Sequence, residues 1–174
     1  MSRARSAAAC VALLLLAAAC SQPSSNSAPS PTPSQVAQTR DSGCAGTVLT
    51  NAVPPNWAQA GWTVAKGEPW PVPWTSDASG DAVAFVFATR LVAGASPRVD
   101  GSTNKVLWIL REGQPFVVEG RPEEKTAPVV TVPGGPSIVD VPTAGCWTFR
   151  LIPNDGSTVR TISLYVLPHG TKPS

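Results

Sequence analysis

Short apolar runs follow one another through most of the chain, and each is bounded by proline, glycine or another turn-forming residue. The runs are rich in Val, Ile, Thr and Phe, a composition that favours strands over helices. No window of 11 or more residues after Cys44 has helical periodicity, and the frequent prolines disfavour a helix. The predicted strands are Gly46–Thr50, Ala82–Val92, Lys105–Arg111, Phe116–Gly120, Pro128–Val132, Ser137–Val141, Cys146–Ile152 and Thr158–Leu167.

The last two predicted strands alternate between apolar and polar positions, so their two faces can be told apart. The positions expected to face the core are Trp147, Phe149 and Leu151 in the first strand and Ile162, Leu164 and Val166 in the second. Cys146 and Arg150 then point away from the core, whereas Trp108, on an earlier strand, belongs to it. Tight turns are expected at Asp100-Gly101 and Asp155-Gly156. The pattern predicts an all-β chain folded as an antiparallel β-sandwich.

The first residues have a different pattern, typical of an export signal. Arg3 and Arg5 precede an uncharged, apolar run of 13 residues, Ala7–Ala19, which is too short to span a bilayer as a helix. The run ends Leu16-Ala17-Ala18-Ala19-Cys20 and resembles a bacterial lipobox, in which the cysteine is lipidated and becomes the new N-terminus. The alternative is an ordinary secretory signal that is cut elsewhere and leaves Cys20 as a plain thiol.

Composition then divides the rest of the chain. Residues 20–42 begin with the cysteine expected to carry the lipid and continue as a Ser/Pro-rich linker, too poor in apolar residues to fold. The organisation expected is a lipoprotein signal peptide at 1–19, this flexible linker at 20–42, a β-sandwich domain at 43–168 and a flexible tail at 169–174. One domain of that size is ordinary.

Charge limits the partners. Two of the 13 Lys and Arg residues lie in the signal, so the mature chain carries 11 basic and 11 acidic residues. No basic block is present, which argues against nucleic-acid binding and against electrostatic adhesion to anionic lipid. Attachment to the outer face of the cytoplasmic membrane is therefore expected through the covalent lipid alone, because two or three acyl chains anchor stably.

The remaining cysteines form an even pair. Cys10 lies in the signal and Cys20 is assigned to the lipid, which leaves Cys44 and Cys146 in an exported domain. A disulfide between them is expected in an oxidising compartment, and it would close a loop of about 100 residues. Because Cys146 is predicted to point away from the core, the bridge should pin the N-terminal segment across the outside of a sheet or at its edge. The alternative is two separate buried thiols.

One stretch near the end resembles a known kind of domain. Val141–Leu151, with Ala144-Gly145-Cys146-Trp147 at its centre, is followed by Asn154-Asp155-Gly156 and a final alternating strand. This arrangement is similar to the closing hairpin of bacterial immunoglobulin-like domains, with Trp147 at the usual Tyr position. Together with Asn104–Trp108, it resembles uncharacterised secreted lipoproteins of the high-GC Gram-positive type. The resemblance implies an immunoglobulin-like sandwich and no particular activity.

Few residues offer catalytic or metal-binding chemistry. His169 is the only histidine, and it lies in the predicted tail, where nothing would hold an imidazole for catalysis or metal binding. Asp77–Asp81 places oxygen ligands at alternate positions but lacks the later ligands of a calcium loop, so a solvated turn is expected. No cofactor or metal is expected. Carboxylates that meet only in space could still form a hydrolytic site.

Tryptophans are concentrated in one proline-rich segment, at Trp57, Trp62, Trp70 and Trp74. Large rings on a stiffened loop could form a surface that stacks on sugars or grips a peptide. The alternative is that the segment covers an open end or edge of the sandwich, with the rings as its anchors. We expect a mixture, with Trp62 buried in a short strand, Trp62–Val64, and with Trp70 and Trp74 as the exposed pair.

Three functions remain open from the sequence. The one that the sequence favours is a non-enzymatic, membrane-anchored lipoprotein whose domain binds a protein or a cell-wall polysaccharide; the other two are alternatives. The second is a structural or accessory module of an envelope complex. The third is a hydrolase with a site assembled from scattered carboxylates, which would show two acids converging in a cleft.

Overall fold

The structure is a computed structural model that describes Cys44 and residues 47–172. Within these residues the chain forms nine β-strands, a 3-10 turn at Asn56–Ala58 and no α-helix. The strands are β1 (Trp74–Ser76), β2 (Ala82–Val86), β3 (Leu91–Val92), β4 (Lys105–Leu110), β5 (Phe116–Pro122), β6 (Val130–Pro133), β7 (Gly135–Ile138), β8 (Gly145–Pro153) and β9 (Arg160–Leu167). The all-β prediction is confirmed.

The strands form two sheets. A four-stranded sheet has the order β1-β2-β4-β7, and a five-stranded sheet has the order β3-β9-β8-β5-β6. Every pairing is antiparallel except that of β3 with β9, which is parallel. Alternate residues of the two sheets meet in one core; Trp108 of β4 and Phe149 of β8, for example, have ring centroids 5.2 Å apart.

The predicted faces of the last two strands are confirmed. Residues buried in the core include Trp147, Phe149, Leu151, Ile162, Leu164 and Val166, together with Trp108. Arg150 lies on the opposite side, with 43% of its side chain exposed. The predicted turns are also present, because Gly101 and Gly156 both have a φ of +77°, a conformation that glycine adopts without steric cost.

The single strand predicted at Ala82–Val92 is wrong. The chain pairs with β4 as far as Val86, turns, and then pairs with β9 from Leu91, so the same run belongs to both sheets. Thr89, with a φ of +60°, lies in the turn between them. The break was hidden in the sequence because both halves are apolar: each half is buried, although against a different sheet.

Three other predicted strands also differ. The strand predicted at Ser137–Val141 is observed at Gly135–Ile138, so only its first two residues lie in a strand. Trp62–Val64 has no strand, and Thr50 forms only an isolated bridge, with Trp74. Gly46, at the start of the strand predicted at Gly46–Thr50, lies outside the described residues. The short strand β1 was not predicted, because its three residues follow a proline-rich stretch without alternation. Within the part of the chain that the structure describes, no helix is long and apolar enough to cross a membrane.

Candidate functional site

The tryptophan-rich stretch, residues 57–74 (here the Trp segment), covers the outer face of the four-stranded sheet. That face is apolar, because Val83 and Phe85 of β2 and Leu107 and Ile109 of β4 point away from the main core. The segment contributes Trp57, Trp62, Val64, Trp70, Val72 and Trp74 to a second apolar cluster on this face. All five residues of β2 are therefore buried, one set in each cluster.

The aromatic rings of this cluster pack mainly against one another. Trp62 stacks on Trp70 with centroids 5.8 Å apart, and it also contacts Phe85 at 5.9 Å and Phe87, edge-on, at 5.8 Å. Trp74 lies 6.4 Å from Phe85. Such ring pairs add to the free energy gained from burying their area. The rings are thus used largely to hold the segment on the sheet.

The prediction that Trp70 is exposed is wrong. Trp70 is only 2% exposed, whereas Trp57, Trp62 and Trp74 are half-buried. Asn51 holds both backbone groups of Trp70. The Trp70 backbone N–H donates to Asn51 O at 2.7 Å, and the Asn51 side-chain Nδ2 donates to Trp70 O at 2.6 Å. These hydrogen bonds place the ring against Phe85, a tertiary contact that cannot be predicted from the local sequence.

The expectations for Trp62 and Trp74 also need adjustment. Trp62 is half-buried and lies in no strand, because its backbone N–H closes a turn onto Gln59 O at 2.8 Å. Trp74 is half-buried too, and its Nε1–H donates to Ala52 O at 2.7 Å. Within the described residues, no two of the four rings form an exposed side-by-side pair.

A groove of about 320 Å³ opens beside the Trp segment. Its lining includes Trp62 and Trp70 together with Val53, Gln59 and Lys66. Val53 is 62% exposed, and Gln59 is held by hydrogen bonds from its Nε2 to Pro54 O and Asn56 Oδ1. The groove combines aromatic, amide and cationic groups, a mixture found in sites for polar organic ligands. Trp57 and Trp74 do not line it.

The expected disulfide is present between Cys44 and Cys146, with an S–S distance of 2.05 Å. Cys146 lies on β8, on the side opposite the buried Trp147, and Cys44 Sγ lies 3.6 Å from Leu164 O of β9. The bridge therefore crosses the outside of the five-stranded sheet, as predicted. It joins residues 102 positions apart. Cys20, the signal at 1–19 and the linker at 20–42 lie outside the described residues.

At one end of the sandwich, two carboxylates lie close together because both contact the same arginine. Arg160 Nη2 lies 3.0 Å from Asp81 Oδ2 and 3.7 Å from Glu112 Oε1. Arg111 Nη1 also approaches Asp81, at 3.4 Å. The guanidinium of Arg160 occupies the space between the two acids that a glycoside and its attacking water would need. The arrangement is an ion-pair cluster that joins the β1–β2 and β4–β5 loops to the start of β9.

The turn at Asp77–Asp81 is built around one carboxylate. Asp77 Oδ1 accepts the backbone N–H groups of Asp81 and Ala82, both at 2.9 Å, and Oδ2 accepts the Ser79 hydroxyl. Burial raises the pKa of Asp77, but the hydrogen bonds from Ser79, Ala82 and Asp81 together outweigh it and hold the pKa below its ordinary value. Among the described residues, no group of three or more His, Cys, Asp or Glu side chains is placed to hold a metal ion.

His169 rests on the body of the domain, although the predicted tail begins there. Its Nδ1 lies 3.1 Å from Ala93 O, and its ring packs so closely on Gly94 that a Cβ there would lie 2.6 Å from Nδ1. Gly94, which has a φ of +111°, therefore cannot carry a side chain without displacing the histidine. The only trace of this contact in the sequence is that position 94 is a glycine.

No protein-family model, curated protein or solved structure matches this chain. The resemblance to secreted lipoproteins therefore stays a prediction.

Proposed function

We propose that this chain is an exported lipoprotein, anchored through Cys20 at the outer face of the cytoplasmic membrane, whose immunoglobulin-like domain is a non-catalytic binding module. The proposal of export is supported by the Cys44–Cys146 disulfide, since such bridges form in oxidising compartments. The binding role is carried by one observation above all, the groove at Trp62.

The immunoglobulin-like assignment draws support from strand order. In that fold, strands A, B and E share one sheet, and strands C, F and G share the other. If β2 is equated with A, then β4 and β7 correspond to B and E, and β5, β8 and β9 correspond to C, F and G in the same neighbour order. The first strand then divides between the sheets, as β2 and β3 do.

A hydrogen bond at the start of β8 adds to this assignment. Trp147 Nε1–H donates to Thr143 O at 2.9 Å, four residues upstream. Immunoglobulin domains have a tyrosine at this corner, just inside strand F, whose hydroxyl bonds back to the backbone a few residues earlier. Trp147 would perform the same task with an indole. The outward-facing Cys146 departs from antibody domains, in which the bridge crosses the core.

A non-catalytic role fits how the carboxylates are used. Asp81 and Glu112 hold Arg160, Glu119 holds Arg150, and Asp140 accepts hydrogen bonds from Ser96. Each of these acids stabilises a contact between strands or loops. The alternative of an accessory module in an envelope complex is favoured by one observation: Trp70 is only 2% exposed and packs on Trp62 and Phe85, so most of its ring is used to hold the fold.

The anchor is tested by replacing Cys20 with Ala. We expect the Cys20→Ala protein to leave the membrane fraction and appear in the medium, because the acyl chains on Cys20 are the proposed anchor. Immunoblots of membrane and medium fractions measure this. A Cys20→Ala protein that stays in the membrane and is processed at the unchanged rate would show that the chain is not a lipoprotein.

Binding is tested by co-sedimentation with purified cell-wall polysaccharide, with a soluble extract of envelope proteins as the second probe. Val53→Asp and Lys66→Ser change the rim of the groove at exposed positions, so the fold should survive. Val129→Asp, at a position 42% exposed and away from the groove, is the matched control. We expect the groove variants to lose most of the binding and the control to retain it. Equal binding by all three variants would mean that the groove is not the binding site.

A further inference from the structure

The arginines at the two ends of the sandwich differ in whether a carboxylate pairs with them. At the end formed by the β2–β1, β4–β5 and β8–β9 connections, Arg111 and Arg160 are neutralised by Asp81 and Glu112. At the opposite end, Arg98 has no carboxylate within 4.0 Å among the described residues. Its charge is therefore not compensated by an ion pair.

Arg98 is nevertheless held firmly, by neutral groups. Its Nε donates to Ser102 Oγ and its Nη1 to Asn104 Oδ1, both at 2.7 Å. Asn104 is only 1% exposed and is itself fixed, since it exchanges hydrogen bonds with both backbone groups of Val92 at 2.7 and 3.0 Å. The guanidinium is thus oriented before any ligand arrives, which lowers the entropic cost of binding.

The nearby carboxylates have other tasks. Asp140 accepts the Ser96 backbone N–H at 2.8 Å and the Ser96 hydroxyl at 2.6 Å. Asp100 accepts the Ser102 backbone N–H at 3.0 Å and the Ser102 hydroxyl, and these hydrogen bonds lower its pKa. Asp100 is therefore ionised at neutral pH, and it lines the same cleft as two cations, Arg98 and Lys172, so it balances one of their two charges.

A cleft of about 430 Å³ lies beside Arg98, between residues 95–100 and residues 169–172. Lys172 and His169 line it from the side of the C-terminal residues. Pro97 and Val99 supply apolar wall, and Val99 is fully exposed. His169 Nδ1 lies 3.1 Å from Ala93 O, and this contact orients the ring.

We propose that this cleft binds a small organic carboxylate. Arg98 and Lys172 attract the carboxylate, and Pro97 and Val99 contact the apolar part of the molecule. Among the described residues, Arg98 Nη2 has no hydrogen-bond partner and is buried, so one donor of the guanidinium beside the cleft is left unsatisfied. The volume suits a small molecule and is at the low end of the range for ligand pockets. The proposal does not depend on the groove at Trp62.

The test is a titration of isotope-labelled full-length protein, followed by amide shifts in NMR spectra. Sodium butyrate is the probe, n-butanol is its uncharged counterpart, and inorganic phosphate is an anion without an apolar part. We expect saturable shifts with butyrate at residues 95–100 and 169–172, and none with n-butanol. Equal shifts with n-butanol, or binding of phosphate without binding of butyrate, would overturn the assignment to a carboxylate.

Two variants locate the site. Lys172→Gln changes an exposed residue and should weaken butyrate binding by roughly two- to fivefold, the effect expected of a solvent-accessible charge pair. Arg111→Gln removes an arginine of similar exposure at the opposite end and should leave binding unchanged. The same affinity in Lys172→Gln and the unaltered protein, or the same loss in both variants, would place the bound anion elsewhere.

Discussion

The two outer faces of the sandwich differ in what covers them. On the four-stranded sheet, Val83, Phe85, Leu107 and Ile109 point outward and lie under the Trp segment. On the five-stranded sheet, the outward residues include Thr148, Arg150 and Glu119, and the Cys44–Cys146 bridge crosses the face at one place. The first face is an extension of the core, whereas the second is a solvated surface tied to the N-terminal segment by one covalent bond.

This difference can be read in the strands themselves. β8 alternates between buried and partly exposed residues along most of its length, as a strand with one wet face does. β2 is buried at every position, as a strand covered on both faces is. An unbroken apolar run in an antiparallel sheet therefore indicates that another part of the chain lies on its outer face. In this protein that part is the Trp segment.

The largest effect is expected at the centre of the covered face. Trp70→Ala should lower the free energy of unfolding by about 3–5 kcal/mol, since it removes a fully buried ring that packs on Trp62 and Phe85. Urea unfolding followed by circular dichroism measures the change. Trp70→Phe should cost much less, because it keeps a ring and because the indole Nε1 has no hydrogen-bond partner among the described residues.

A small effect of Trp70→Ala, similar to that of the half-buried Trp57→Ala, would break the comparison. It would mean that the Trp segment is not packed on the sheet in solution.

The second effect concerns the disulfide that crosses the solvated face of the five-stranded sheet. Cys146→Ser should lower the free energy of unfolding by about 2–5 kcal/mol, because the bridge closes a loop of 102 residues that the unfolded chain must otherwise leave open. Thermal unfolding without reductant measures it. The Cys44→Ser and Cys146→Ser double variant should be no less stable than either single variant. Two free thiols in unreduced protein, counted by mass spectrometry, would contradict the bridge.

Sequence predicted best what depends on local alternation. The core positions of β8 and β9 follow from period-2 spacing. The pairing of Cys44 with Cys146 follows from the even number of cysteines that remain once Cys10 and Cys20 are assigned to the predicted export signal and lipid anchor. The position of the bridge, outside the sheet, then follows from the parity of Cys146 relative to Trp147. These inferences required no knowledge of distant contacts.

Features set by tertiary contacts could not be predicted in this way. Trp70 is buried because Asn51 and Phe85 hold it, yet its local sequence resembles that of the half-buried Trp74. Nothing in the sequence predicted the cleft at Arg98. Asn104 orients Arg98, and residues 169–172 line the cleft with it, but these contacts form only when the chain folds. The rim of the groove, including Val53 and Gln59, could have been suggested by its closeness to Trp62 in the sequence.

A third effect tests the turn that leads into the covered strand. Asp77→Asn should destabilise the protein by roughly 1 kcal/mol at neutral pH, since the charged acceptor of two backbone N–H groups is lost. The folded pKa of Asp77 lies below its ordinary value of 3.8, so its contribution is present above that pH and is lost as the pH falls through the folded pKa. The stability difference from the unaltered protein should therefore shrink in acid. A difference that stays constant from neutral pH to pH 3 would contradict this account.

The smallest effect is expected on the open face, where Arg150 Nη1 lies 3.2 Å from Glu119 Oε2 across the β5–β8 pair. Their side chains are 43% and 27% exposed, so water and salt weaken the attraction. A double-mutant cycle with Glu119→Gln and Arg150→Gln should give a coupling of about 0.2–1 kcal/mol that falls as salt is added. A coupling well above that range, and insensitive to salt, would mean that the pair is shielded from solvent. The five-stranded face would then be covered in solution as the four-stranded face is, and the contrast between the two faces would no longer hold.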